Sequence, residues 1–135
     1  MQRALTWSAG ALCAATLSLA HAEGALLRCQ VTYAGATQEV RAQPRLDPYD
    51  APRVDIGGRF GFKPVLVGEG LRVDYIALYA YVDTRRGPVL IQQATYRPPF
   101  PATPTPLPLT GEQHLYAGPV ERELIYHCTL EGHQP

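Results

Sequence analysis

The chain has 135 residues with 12 basic and 12 acidic side chains, so its formal net charge at pH 7 is zero. This length accommodates one domain with one hydrophobic core. Because basic residues are not in excess, a general affinity for nucleic acid or anionic lipid is not expected.

The first 22 residues have the pattern of a cleavable secretory signal peptide. Arg3 gives a positive start, residues 9–19 are apolar and uncharged, and Ala20-His21-Ala22 is a small-x-small cleavage motif. The apolar run is shorter than the roughly 20 residues that a membrane span requires. The sequence therefore predicts cleavage after Ala22, export to the periplasm, no membrane span and one mature domain, residues 23–135.

Strand patterns begin soon after the leader. Apolar and polar residues alternate over 27–33, which predicts a strand with Cys29 facing inward. Residues 34–36 are suited to a tight turn, and residues 38–42 are predicted to return as the partner strand. Residues 44–52 hold three prolines and two aspartates, so they are predicted to form a loop.

The middle of the chain holds the clearest strand. Residues 54–67 are rich in β-forming side chains but interrupted by glycines and a proline, which predicts a bent or bulged strand pair. Over residues 71–82, tyrosines share one parity and aliphatic residues the other, which is typical of a central strand covered on both faces. Residues 89–96 are predicted to run back beside it.

The last third contains a proline-rich stretch and a terminal strand. Residues 98–108 hold six prolines and cannot form a central strand. Two interpretations stay open: an exposed segment that docks on an aromatic partner groove, or a packed crossover between two sheet edges. Residues 120–130 have a start compatible with a helix, but the alternation that includes Tyr126 and Cys128 favours a strand.

Two cysteines remain once the leader is removed, Cys29 and Cys128. An oxidising compartment favours a disulfide between them. Short strands, closely spaced turns and the lack of a convincing long helix predict an all-β fold. We expect an antiparallel β-sandwich or small barrel of about six to eight strands, with the disulfide joining the first strand to the last.

Four stretches resemble a family of small exported proteins of unassigned function from Gram-negative proteobacteria. They are GGRFGFK at 57–63, YAYVDT at 79–84, QQATYRPPFP at 92–101 and LTGEQHLYAGPVERELIYHC at 109–128. The resemblance covers nearly the whole mature chain. It implies an exported periplasmic domain and carries over no catalytic or binding residue.

Several chemistries are disfavoured by the residues present. Serine occurs only at Ser8 and Ser18, so the mature chain cannot build a Ser-His-Asp triad. His114, His127 and His133 have poor spacing for a metal site, because His127 adjoins the cysteine needed for the disulfide. We therefore predict no catalytic residues of a recognised type, no metal and no cofactor.

Tyrosines are the best functional lead. Tyr79, Tyr81 and Tyr96 are predicted ligand-binding residues, since tyrosine offers apolar area with a polar tip. The alternative is that these tyrosines simply fill two-faced strands. The sequence predicts an exported binding or interaction module for an unknown envelope protein or a small extended ligand. The second hypothesis is a small envelope enzyme of the acid/base type, in which Glu112, Glu121 or Glu123 acts with His114 or His127.

Overall fold

The computed structural model describes residues 24–118 and 122–135, and the predicted signal peptide, residues 1–22, lies outside them. Ten strands lie in the described residues, eight of them with three or more residues. The strands are β1 (Leu26–Tyr33), β2 (Ala36–Ala42), β3 (Pro44–Arg45), β4 (Val54–Ile56), β5 (Phe60–Glu69), β6 (Arg72–Thr84), β7 (Gly87–Tyr96), β8 (Leu107–Pro108), β9 (Gln113–Ala117) and β10 (Arg122–Glu131). A single 3-10 turn, Pro48–Asp50, lies between β3 and β4 in this part of the chain.

The strands form two sheets that face each other. Sheet A has the order β2-β1-β10-β8, with β9 also paired to β10, and sheet B has the order β3-β5-β6-β7, with β4 also paired to β5. All pairs are antiparallel except β3 with β5. The all-β prediction is confirmed, and since neither sheet closes on itself the architecture is sandwich-like rather than a barrel.

The disulfide lies at the centre of sheet A. Cys29 in β1 stands opposite Cys128 in β10, and the two residues are joined, so the predicted bond between the first and last strands is confirmed. The inward alternation predicted for these strands is also confirmed, because Leu27, Val31 and Tyr126 are at most 1% exposed.

Sheet B supplies the other wall of the core. Phe60, Phe62 and Ile76 are fully buried, and the Phe62 ring lies 4.9 Å from the Tyr126 ring of sheet A, measured between centroids. Among the described residues no polar or charged residue is buried. The core is therefore an apolar layer in which side chains of the two sheets interdigitate.

Two short strands differ from the sequence-based prediction. Residues 44–52 were expected to be a loop, yet β3 pairs in parallel with β5 at the edge of sheet B. Proline is tolerated in edge strands because one side of such a strand needs no hydrogen-bond donor. No strand was predicted at β9, whose five residues lie between Gly111 and Gly118. Both elements are too short to give a distinct periodic pattern.

The proline-rich segment connects the two sheets. It leaves β7 of sheet B and reaches β8 of sheet A, so the chain uses it as a crossover. Phe100 is buried in the core and contacts the His133 ring, whose Nε2 lies 3.0 Å from the Pro101 carbonyl oxygen. Among residues 24–118 and 122–135, no helix has the length and apolar character needed to cross a membrane.

A tyrosine row on the outer face of sheet B

Three tyrosines of β6 lie on the face of sheet B that is turned away from the core. Tyr75, Tyr79 and Tyr81 are half-buried, whereas Ile76 and Leu78 between them point inward and are buried. This separation follows from the alternation of side chains along a strand. We call the three residues the tyrosine row.

Each ring of the tyrosine row has a cation beside it. Lys63 stands opposite Tyr79 in the β5–β6 register, with Nζ 5.9 Å from the ring centroid. Arg97, the first residue after β7, places its guanidinium carbon 5.6 Å from the Tyr75 centroid. Exposed cation–π contacts of this kind contribute about 0.5–1 kcal/mol each.

Arg53 makes the third contact and is held on several sides. Its guanidinium carbon lies 5.5 Å from the Tyr81 centroid, and its Nη2 bonds to Asp83 Oδ1 at 2.5 Å. Gly61 stands opposite Tyr81, and a Cβ at that position would come within 2.0 Å of the Arg53 Nε. The glycine therefore leaves the space in which the guanidinium packs against the sheet.

A small apolar cluster supports the row from below. Tyr75 and Tyr79 pack against a second group of buried residues on this face. The group consists of Ala51, which follows the 3-10 turn, and the sheet residues Val65, Val67 and Ala77. The main core covers the inner face of β6, whereas this cluster covers the outer face only in part and leaves the tyrosines half-buried. This packing holds the Tyr75 and Tyr79 rings against the outer face of the sheet.

The structure separates the three predicted tyrosines. Tyr79 and Tyr81 lie together in the tyrosine row, whereas Tyr96 stands opposite Ile76 and packs against the main core. Burial raises the pKa of Tyr96, and burial together with the nearby Tyr96 raises the pKa of Tyr126. The Tyr126 hydroxyl donates to the Gln92 side-chain oxygen. Tyr96 thus belongs to the same interior as Tyr126.

The sequence-based choice omitted Tyr75 and all three cations. Tyr75 could have been found from the parity it shares with Tyr79, and Lys63 from the register of the β5–β6 hairpin. Arg53 and Arg97 lie outside the strands, so no periodic signal places them beside the rings.

An arginine cleft lies at one end of the sandwich. The opening of about 810 Å³ is lined by Arg59, Arg85 and Arg122, together with turns at the ends of β6 and β9. Arg122 donates from Nη1 to the Tyr33 hydroxyl at 2.6 Å. Asp83 also lines the cleft, but its carboxylate is bonded to Arg53. The charged side chains that line the cleft are therefore three arginines and one carboxylate that is already paired.

His114 lies between two carboxylates on the exposed face of sheet A. Its Nε2 is 2.7 Å from Glu112 and its Nδ1 is 2.5 Å from Glu123. Since an ionised carboxylate only accepts hydrogen bonds, the two contacts together favour the imidazolium form, in which both ring nitrogens donate. Glu123 and Glu112 raise the pKa of His114, and His114 lowers the pKa of Glu123.

An NMR titration should find the pKa of His114 above the ordinary value for histidine. The ion pair between His114 and Glu123 should persist at pH values between the lowered pKa of Glu123 and the raised pKa of His114. It should be lost as the pH rises through the pKa of His114, because the imidazole then gives up its charge. Glu123→Gln should move the His114 titration to lower pH, whereas Glu39→Gln on β2 should leave it in place. An unchanged midpoint in the Glu123 variant would contradict the assignment.

Among the described residues, no group of three or more His, Cys, Asp or Glu side chains is arranged to hold a metal ion.

Comparison with protein-family models, curated proteins and solved structures gave no match to this chain. The functional argument therefore depends on the surface itself.

Proposed function

We propose that this chain is an exported binding or interaction module of the periplasm that binds its ligand on the outer face of sheet B. The observation that carries the proposal is the tyrosine row with a cation within 6 Å of every ring. Tyrosine supplies apolar contact area and a hydroxyl at low entropic cost, and the cations add affinity for acceptor groups. A rigid sheet holds this surface ready for contact.

The length of the row favours an extended ligand. Tyr75 and Tyr81 are six residues apart on one strand, so the rings span about 20 Å at roughly 3.3 Å per residue. A partner segment of an envelope protein or a small elongated ligand can contact all three rings at once. A compact ligand would reach one or two of them.

Export is part of the proposal. It rests on the leader pattern of residues 1–22 and on the resemblance to small exported proteins of proteobacteria. The Cys29–Cys128 disulfide fits an oxidising compartment such as the periplasm. Sequencing the N-terminus of the protein recovered from the periplasmic fraction should give Glu23 as its first residue, and an intact Met1 would refute export by cleavage.

The surroundings of His114 favour binding over an acid/base enzyme. A general base needs an unoccupied nitrogen near a substrate cleft. Both nitrogens of His114 are engaged by carboxylates on an exposed sheet face. In this arrangement the ring serves as one partner of an ion pair.

Substitutions in the tyrosine row should weaken binding without unfolding the protein. The mature chain, residues 23–135, serves as bait in an envelope extract, and the captured partner is purified for titration calorimetry. Tyr79→Ala and Tyr81→Ala should each weaken its binding by roughly tenfold, as the loss of an aromatic contact residue does. Tyr116→Ala, on the exposed face of sheet A, is the matched control.

The same variants distinguish a surface role from a core role. Tyr96→Ala should lower the free energy of unfolding by about 3 kcal/mol, because its ring packs against the core, whereas Tyr79→Ala should lower it by much less. If the folded Tyr79 and Tyr81 variants bind the partner as tightly as the parent protein, the proposed surface is wrong.

A further inference from the structure

The β7 strand forms a long open edge of sheet B. It pairs with β6 on one side, and no described strand pairs with it on the other. None of its ten residues, Gly87–Tyr96, carries a charged side chain. An edge of this kind presents unpaired backbone donors and acceptors to any extended chain that approaches it.

The other sheet edges carry the features that prevent such pairing. At the outer edge of sheet A, β2 bears Glu39 and Arg41. The strands β3, β4 and β8 have only two or three residues, and β9 has five, among them His114 between two carboxylates. Charges and short length are the usual protections of edge strands. Within the described sheets, β7 is the edge strand that is both long and free of charged side chains.

Apolar side chains are exposed along this edge. Val89 is 49% exposed and Leu90 is 46% exposed, and Gln93 is exposed further along the strand. Pro88 and a one-residue register shift beside Ile91 interrupt the beginning of the strand. From Gln92 onward the register with β6 is regular.

Cations flank the uncharged strand at both ends. Arg85 and Arg86 precede β7 and Arg97 follows it, and all three are exposed. Within residues 24–118 and 122–135 none of them forms an ion pair with a carboxylate. Arg85 also lines the arginine cleft. A segment that pairs along β7 therefore meets positive charge at each of its ends.

This charge pattern distinguishes a foreign segment from a second copy of the chain. If two copies paired antiparallel through β7, the arginines before one strand would face the arginine after the other, and like charges would repel. A segment with acidic residues at both ends would instead form favourable pairs. Complementarity of charge thus favours a different polypeptide as the occupant.

We propose that β7 is a strand-addition site for an extended polypeptide segment, uncharged over about eight residues and acidic at both ends. This inference rests on the proposed function, since it names the class of ligand that the module takes. The main chain of the segment bonds to the open edge of β7. Alternate side chains of the segment then lie on the same face as the tyrosine row.

Synthetic peptides test the proposal directly on the mature protein, residues 23–135. The first is a fluorescent peptide with an uncharged core of about eight residues, rich in Thr and Val, between acidic ends. The second has two prolines in its core, and the third has lysines at its ends. We expect the first peptide to bind, and the other two to bind at least about tenfold more weakly in fluorescence anisotropy. The second lacks backbone N–H donors at its prolines, and the lysines of the third meet the arginines that flank β7.

Hydrogen exchange shows where the peptide binds. NMR should detect slower exchange of amides in residues 89–96 when the first peptide is added, and unchanged exchange in β2. Gln93→Lys should weaken peptide binding by about fivefold or more, because a charge is placed in the middle of the uncharged edge. Gln38→Lys on the exposed edge of β2 is the matched control and should bind like the parent protein.

Three outcomes would overturn strand addition: equal binding of the proline peptide, peptide binding without protection of the β7 amides, or a dimer in sedimentation that Gln93→Lys dissociates. The captured envelope partner separates this failure from that of the proposed function. If Tyr79→Ala weakens binding of the partner and Gln93→Lys does not, the partner binds to the outer face of sheet B and strand addition is wrong. If neither variant weakens it, both proposals fail.

Discussion

Replacing both Cys29 and Cys128 by alanine should lower the free energy of unfolding by about 4 kcal/mol while leaving the fold intact. The disulfide joins residues 99 positions apart, and a crosslink that closes so long a loop restricts the unfolded chain strongly. The strands β1 and β10 stay paired along eight positions without it, so the native arrangement should survive. Urea unfolding followed by circular dichroism measures the change.

The reduced parent protein is the control for this experiment. If the crosslink is the source of the stability, the reduced protein and the double variant should unfold at similar urea concentrations. A double variant as stable as the oxidised protein would refute the stapling role. Loss of binding to a captured partner in a folded double variant would show that the disulfide also acts at the proposed binding surface.

Phe62→Ala should cause a loss of similar size, about 4 kcal/mol, because it opens a cavity between the sheets. The Phe62 ring is fully buried in sheet B and contacts the Tyr126 ring of sheet A. Phe62→Leu, which keeps most of the volume, should cost about 1.5 kcal/mol or less. The midpoint of urea unfolding at constant slope measures both changes.

A comparison with the outer face makes this experiment specific. Tyr79→Ala removes a half-buried ring from the other side of the same sheet, so it should cost much less stability than Phe62→Ala. If the two variants are equally destabilised, the tyrosine row is as structural as the core and its availability for ligand is in doubt. A clear difference would leave the row free to be altered for binding studies.

The two proposed surfaces are separate from the interior that stabilises the fold. The disulfide and the aromatic core lie between the sheets, whereas the tyrosine row and the open edge of β7 lie on or beside the outer face of sheet B. Substitutions at the proposed sites therefore need not disturb the interior.

Much of the scaffold follows from local patterns in the sequence. The two-residue period of side chains identified β1, β6 and β10 and their buried faces, because the alternation is a property of the extended backbone. The cysteine pair followed from counting, since two cysteines lie outside the predicted signal peptide. Short elements such as β3 and β9 were missed because their pairing depends on distant strands rather than on their own residues.

Tertiary structure decided which tyrosines lie on the outer face of sheet B. The β6–β7 hairpin begins with Thr84 opposite Gly87, and if that register continued, Tyr96 would lie opposite Tyr75 on the outer face. The register instead shifts by one residue beside Ile91, which places Tyr96 opposite Ile76 on the inner face. Because side chains alternate between faces, a slip of one residue exchanges the two sides of the sheet. The sequence determined that tyrosines lie on these strands; the bulge and the long-range packing of Arg53 and Arg97 determined which of them share a surface with cations.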